Sequence, residues 1–204
     1  MDGVMKQTLV ALDLEGVLVP EIWIAVAERT GIAGLRRTTR EEPDYDVLMR
    51  YRLRLLEEHG LSLGLIQEVI GGLEPLPGAV AFLEELRSLS PVVILSDTFE
   101  EFAQPLMRQL GWPTLLCHRL EVAEGKIAGY RLRQANQKQR AVEAFQGLNY
   151  RVLAAGDSFN DTAMLGGADA GFFFRAPESI RGQFPQFAAF EEYGDLLAAL
   201  RAAF

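Results

Sequence analysis

Three acidic segments of the 204-residue chain share one setting: Asp13-Leu14-Glu15-Gly16, Ser96-Asp97-Thr98 and Gly156-Asp157-Ser158-Phe159-Asn160-Asp161 each follow a short apolar run. A single carboxylate at the end of a strand is ordinarily a turn or helix-capping residue. Agreement among three strand ends reverses that reading. If the apolar runs are parallel neighbours, Asp13, Asp157 and Asp161 crowd together, and clustered carboxylates repel one another unless a cation sits among them. Hard oxygen donors suit Mg²⁺, which commonly binds one or two carboxylates together with a substrate phosphate. The residue types therefore point to metal-assisted chemistry on a phosphate.

Bringing these acids together requires a parallel sheet. Residues 8–12, 91–95, 151–155 and 170–174 read as strands, the first three ending at Asp13, at Ser96-Asp97 and at Gly156-Asp157. Helical periodicity predicts helices over 78–89, 99–110 (kinked at Pro105) and 138–148, and a hairpin over 116–131 turns at Glu124-Gly125. The alternation is that of an α/β fold with a mainly parallel sheet. Residues 20–72 break it, with no strand and three helical segments at 21–30, 45–59 and 63–70. A helical block inserted after the first strand predicts a cap over the strand ends, where such folds place ligands. The expected order is a discontinuous core of 1–16 and 75–204 with a cap domain of 17–74.

Composition bounds the rest. Hydrophobic residues make up 49% of the chain, enough for a sizeable core, and a net charge of -8 argues against a nucleic-acid partner. Cys117 is the single cysteine; it allows no intramolecular disulfide and, between leucine neighbours, reads as a buried apolar residue. The first eight residues lack a signal-peptide core, and no apolar run reaches membrane-spanning length, so a soluble, cytoplasmic protein without a membrane partner is expected. His59 and His118 lack metal-ligand spacing and carry little weight. Phe172-Phe173-Phe174 reads as a core strand, and Gly166-Gly167 as a helix-ending loop.

Asp13-x-Glu15-Gly16-Val17, Ser96 after Val92-Val93-Ile94-Leu95, Lys138, and Gly156-Asp157-x-x-Asn160-Asp161 resemble the four motifs of the haloacid dehalogenase-like (HAD) superfamily. The resemblance spans about residues 9–171, and implies a Rossmann-like core. Within the superfamily the chain is similar to the phosphoserine phosphatases. The run from Asp13 to Trp23 and Ser96-Asp97-Thr98 most resemble the ThrH-type subgroup, which also transfers phosphate from phosphoserine to homoserine. The resemblance implies Asp13 as the nucleophile that forms an aspartyl-phosphate. Mg²⁺ would be held by Asp13, the Glu15 carbonyl and Asp157, with Asp161 supporting that shell. Glu15 would protonate the leaving oxygen and then deprotonate water. Ser96 and Lys138 would hold phosphoryl oxygens, and Asn160 would help bind substrate.

Two departures matter. Glu15 stands where most HAD phosphatases carry Asp, which extends the acid's reach by roughly 1.5 Å and is expected to slow water attack, giving an alcohol acceptor time to compete. Ser96-Asp97-Thr98 stands where glycines are usual; Asp97 is expected to face an ammonium or an acceptor hydroxyl, with Thr98 beside it in the binding site.

The cap supplies a filter. Arg52 falls in an apolar stripe with Leu48, Met49, Leu55 and Leu56, where a charge needs an anionic partner. An internal ion pair or a stem snorkelling over the core answers that need as well as a ligand does; the resemblance favours the substrate carboxylate. Glu21 suits the substrate ammonium, or is simply an acid in a helix's first turn. Together they predict an amino-acid phosphate, O-phospho-L-serine, in serine or threonine biosynthesis, with homoserine as a second acceptor and a homodimer allowed. Another small ester, such as phosphoglycolate or a sugar phosphate, is the alternative. A receiver-like phosphoacceptor switch is disfavoured by the helical insertion.

Overall fold

The computed structural model describes residues 5–39, 41–42 and 44–204. The first four residues of the expected core, and residues 40 and 43 of the expected cap, lie outside these. Seven strands form one sheet: β1 (Gln7–Leu12), β2 (Val92–Phe99), β3 (Thr114–Ala123), β4 (Lys126–Arg131), β5 (Tyr150–Gly156), β6 (Ala170–Phe174) and β7 (Ala188–Phe190), in the spatial order β4-β3-β2-β1-β5-β6-β7. All neighbours are parallel except β3 and β4.

The alternation of β1 explains the layering. Val10 and Leu12 join one buried apolar cluster, and Leu9 and Ala11 join the other. A strand buried on both faces needs helices on both, which is what parallel connections supply. Nine helices occur among the described residues: α1 (Ile22–Thr30), α2 (Tyr45–Glu58), α3 (Leu63–Gly71), α4 (Ala79–Leu89), α5 (Glu100–Gln109), α6 (Gln137–Gly147), α7 (Thr162–Gly167), α8 (Glu178–Arg181) and α9 (Tyr193–Ala202). Side chains of α4, α5 and α9 pack with Val10 and Leu12, and those of α6, α7 and α8 with Leu9 and Ala11. The result is a three-layer α/β fold.

β1 lies between β2 and β5, with Leu12 in register with Ile94 on one side and Ala155 on the other. The strand order reverses about β1, so its C-terminal end opens into a crevice, the usual ligand position in such sheets.

The sequence reading and the structure part in two places. The second strand does not stop at 95 but continues to Phe99, so that Ser96-Asp97-Thr98 lies inside a strand. Pairing with β3 breaks after Leu95 and resumes at Phe99 opposite His118. The following helix runs unbroken through Pro105. Pro105 has no N–H for the Glu101 carbonyl; the Gln67 side chain of α3 donates to that carbonyl instead, at 2.8 Å. Strand β7 and the short helices α7 and α8 carry too little periodicity to be read from sequence.

Helices α1 to α3 follow β1 as one block, with no paired strand among the described residues between them. Asp44 and Ser62 cap α2 and α3 through the N–H groups of Val47 and Leu65, and Gly31 ends α1 in the left-handed conformation, φ 73°. The block is docked onto the sheet by apolar packing that puts Trp23, Met49 and Ile66 in one cluster with Phe99 and Phe102. The Leu63 N–H also donates to Gly125 O at the β3–β4 turn, 3.0 Å away.

Candidate active site

Asp13 directly continues β1, its N–H donating to Ala155 O on β5 at 3.0 Å. Lys138 comes from the first turn of α6. Both are buried, and Lys138 Nζ lies 2.8 Å from Asp13 Oδ1 and 2.7 Å from Asp161 Oδ1. Burial alone would lower the lysine pKa, but Asp13, Asp161 and Asp97 outweigh it and raise it well above the ordinary value. The lysine is therefore charged. Asp13 is raised well above the usual carboxylate range by burial and by the charges of Asp161 and Asp157, against the pull of Lys138.

Asp161 is fully enclosed. Its Oδ2 accepts from the N–H groups of Asp157 and Ser158 and from Ser158 Oγ, at 2.9–3.0 Å. It thus holds both the Gly156–Asp161 loop and the lysine. Two glycines let the acids come this close: a Cβ on Gly16 would stand 2.4 Å from Asp157 Oδ2, and one on Gly156 2.4 Å from Asp161 Cγ. Carboxylate oxygens of Asp13, Asp157 and Asp161 lie within 4.8 Å of one another. Three buried acids against one lysine leave the cluster short of positive charge, and its all-oxygen donors match a hard divalent cation.

Glu15 turns toward α1, where its Oε2 accepts from the Ile22 N–H at 2.9 Å. Burial, then the nearby Glu21 charge, push its carboxyl up to about 7, against that hydrogen bond and the charges of Arg52 and Lys138. Glu21 precedes the helix rather than lying within its first turn, and its side chain makes no capping bond. Arg52 is buried in the stripe where periodicity put it. Its Nη2 donates to Arg37 O at 2.8 Å and its guanidinium lies over the Trp23 ring, 4.6 Å from the centroid. Its Nε has no hydrogen-bond partner, and no carboxylate among the described residues forms an ion pair with it.

All of these side chains except Asp161 meet in one cleft of about 90 Å³, whose walls also include Ser96, Asp97, Thr98 and Asn160. Every residue that the sequence singled out for substrate or phosphate contact lines it. The haloacid dehalogenase-like hydrolase family model matches residues 8–169, from the first residues of β1 to the residue before β6. The chain belongs to that family.

Among its relatives is a Pseudomonas aeruginosa protein named phosphoserine phosphatase ThrH, 62% identical over 189 residues that make up 92% of each chain. A phosphoserine phosphatase of Pseudomonas syringae pv. tomato is 61% identical over 92% of this chain and 80% of its own. Among solved structures, a phospho-aspartyl intermediate analogue of phosphoserine phosphatase superposes with a TM-score of 0.77 at 22% identity, over 92% of this chain and 95% of that one. At that identity the likeness speaks for the fold.

In this haloacid dehalogenase-like hydrolase several cleft residues escaped sequence reasoning. Trp23, Thr39, Tyr45 and Ser158 line the cleft, and the Tyr45 hydroxyl donates to Asp97 O at 2.9 Å. His118 and Gln137 stand behind Asp97. His118, given little weight on spacing, is buried on β3, with Nε2 3.4 Å from Asp97 Oδ1. Gln137 Nε2 donates to the same oxygen at 3.1 Å. Asp97 itself is held well below the usual carboxylate range: burial raises it, but Lys138, His118 and Gln137 together prevail. Its neighbour in sequence to Lys138 was the only signal for Gln137.

Proposed function

We propose that this chain is a Mg²⁺-dependent phosphatase that hydrolyses O-phospho-L-serine to L-serine and phosphate through a phosphorylated Asp13. One observation carries the reading: a cleft that joins a carboxylate–lysine centre to a buried guanidinium that lacks an ion-pair partner among the described residues. The first suits a phosphoryl group and the second a substrate carboxylate, which arginine can engage through two parallel hydrogen bonds. Glu21 and Asp97 supply the negative charge for the ammonium. In this reading residues 17–74 form a cap domain over a core of 1–16 and 75–204.

Lys138 engages Oδ1 of Asp13, leaving Oδ2 to attack phosphorus in line with the departing serine oxygen. As the Asp13–phosphorus bond forms and the ester bond breaks, Glu15 gives its proton to the leaving oxygen. Water then attacks the aspartyl-phosphate, Glu15 takes its proton, and Asp13 departs. A carboxyl near 7 serves both directions at neutral pH. The Ile22 N–H fixes the glutamate, so that its added length is taken up by an anchor at the start of the cap. Ser96, Thr98, Lys138 and Asn160 hold phosphoryl oxygens. Asp13, Asp157 and the Glu15 carbonyl would hold Mg²⁺, with Asp161 behind them. When bound, the ion neutralises phosphoryl charge and polarises the ester.

Homoserine as a competing acceptor completes the proposal. It is supported by a second cavity of about 540 Å³ that shares Thr39, Tyr45, Asp97, Lys138 and Asn160 with the cleft. No helix among the described residues is long and apolar enough to cross a membrane; residence in the cytoplasm and a homodimer belong to the same proposal.

The test is a panel of phosphomonoesters assayed with Mg²⁺ and with EDTA, with and without homoserine, and with Asp13→Asn as control. Phosphoserine leads the panel, EDTA abolishes turnover, and intact-protein mass spectrometry of the trapped intermediate locates phosphate on Asp13. Faster turnover of a sugar phosphate or phosphoglycolate, or an active Asp13→Asn variant, overturns the reading.

A further inference from the structure

His118 and Gln137 touch Asp97 from the second cavity, which both line, and both are oriented by Arg133. The Arg133 N–H donates to His118 Nδ1 at 3.0 Å. A ring nitrogen that accepts carries no proton, so the neutral imidazole carries its proton on Nε2, the atom facing Asp97. Meanwhile Arg133 Nε and Nη2 donate to Gln137 Oε1 at 3.2 and 2.9 Å. That turns the amide nitrogen toward Ser96 O and Asp97 Oδ1. Gln137 therefore donates to one oxygen of Asp97, and His118 Nε2 stands 3.4 Å from the same atom.

The other oxygen is treated differently. Asp97 Oδ2 has Asn160 Nδ2 at 3.5 Å and Lys138 Nζ at 3.9 Å, both longer than the 3.1 Å hydrogen bond that Gln137 gives to Oδ1 and longer than the roughly 2.7–2.9 Å usual for a donor on an ionised carboxylate. An under-satisfied anionic oxygen on the wall of an anion-binding cleft repels a phosphate ester unless the ester brings it a charged donor. Left to itself, the carboxylate would swing toward Lys138. The donors on Oδ1 resist that swing.

We propose that His118 and Gln137 are specificity-determining positioning residues: held by Arg133, they engage one oxygen of Asp97 and so present the other to the ammonium group of an amino-acid phosphate ester. The inference rests on the reading of the cleft as a phosphoserine site. It predicts discrimination against 3-phosphooxypropanoate, which is phosphoserine without the amino group, because nothing then offsets the exposed oxygen.

The experiment compares kcat and KM for these two esters in wild type, His118→Phe, His118→Gln and Gln137→Met, with thermal melts to establish folding. His118→Phe reduces the preference for phosphoserine by about tenfold, through KM, as expected for the loss of one polar contact to a charged group. His118→Gln keeps a donor near the position of Nε2 and keeps the preference to within about threefold. Gln137→Met loses preference in the same sense as His118→Phe, and decides the matter should the phenylalanine variant not fold. A long-range ¹H–¹⁵N spectrum of wild type reports the Nε2–H tautomer. An unchanged preference, or an equal loss on both esters, overturns the inference and leaves the phosphoserine reading standing. A wild type that does not distinguish the two esters overturns that reading, and the inference with it.

Discussion

Arg52 is 6% exposed, and burial draws its guanidinium from its ordinary value down to about 10, against the opposing charges of Glu15, Tyr45 and Glu21. For a cation a lowered pKa means that the folded environment disfavours the charged form, here by about 3 kcal/mol at 1.36 kcal/mol per pH unit. Arg52→Met removes that penalty and fills the apolar stripe. Against it stand the Arg37 carbonyl left without its donor, worth about 1–2 kcal/mol, and the contact with Trp23, about 1 kcal/mol. The terms nearly cancel. Thermal unfolding of the free protein should therefore stay within about 4 °C of wild type, since 1 kcal/mol moves the midpoint of a chain this size by about 2–4 °C. Substrate binding should behave quite differently. Losing one partner of a buried carboxylate–guanidinium contact costs about 2–5 kcal/mol, so kcat/KM for phosphoserine should fall by about 30-fold or more. Phosphoethanolamine, which lacks the carboxylate, should lose far less. Differential scanning fluorimetry and initial rates on both esters decide it. A midpoint lowered by tens of degrees, with equal losses on both substrates, would refute a ligand-binding role and make Arg52 a structural residue.

Further outcomes follow from the same geometry. Lys138→Met strands Asp13 and Asp161 without their cation, a buried-pair loss of about 3–5 kcal/mol; metal-free protein should melt about 10 °C lower and lose turnover. Glu15 has a folded pKa of about 7 against 4.5 for the free side chain, so between those values the native state binds more protons than the unfolded chain, and its contribution to stability falls as pH rises through the window. Melts of metal-free protein across that range should show the slope, and Glu15→Gln should flatten it. Gly16 has φ 77°, and an added Cβ meets Asp157 Oδ2 at 2.4 Å; Gly16→Ala should cost at least about 1–2 kcal/mol from backbone strain alone and raise the Mg²⁺ concentration needed for half-maximal activity.

The chain order alone was enough to read the acids, because a parallel sheet that is apolar on both faces advertises itself as short apolar runs, and each run here stops at its acid. The position of Arg52 in an apolar stripe was equally legible, since helical periodicity depends only on local spacing. What spacing could not reveal was the company kept across the sheet. His118 lies 21 residues from Asp97 in sequence, and Gln137 lies 40; they reach the same oxygen only because β3 pairs with β2 and α6 packs against β2. Whether Arg52 had an internal counter-charge was undecidable for the same reason: a missing partner is a property of everything folded around a side chain. The extension of β2 through Ser96-Asp97-Thr98 was likewise decided by pairing, where a strand partner outweighs the turn preference of Ser and Asp. Local sequence determined which residues could do chemistry, and long-range contacts determined which of their atoms remain available to do it.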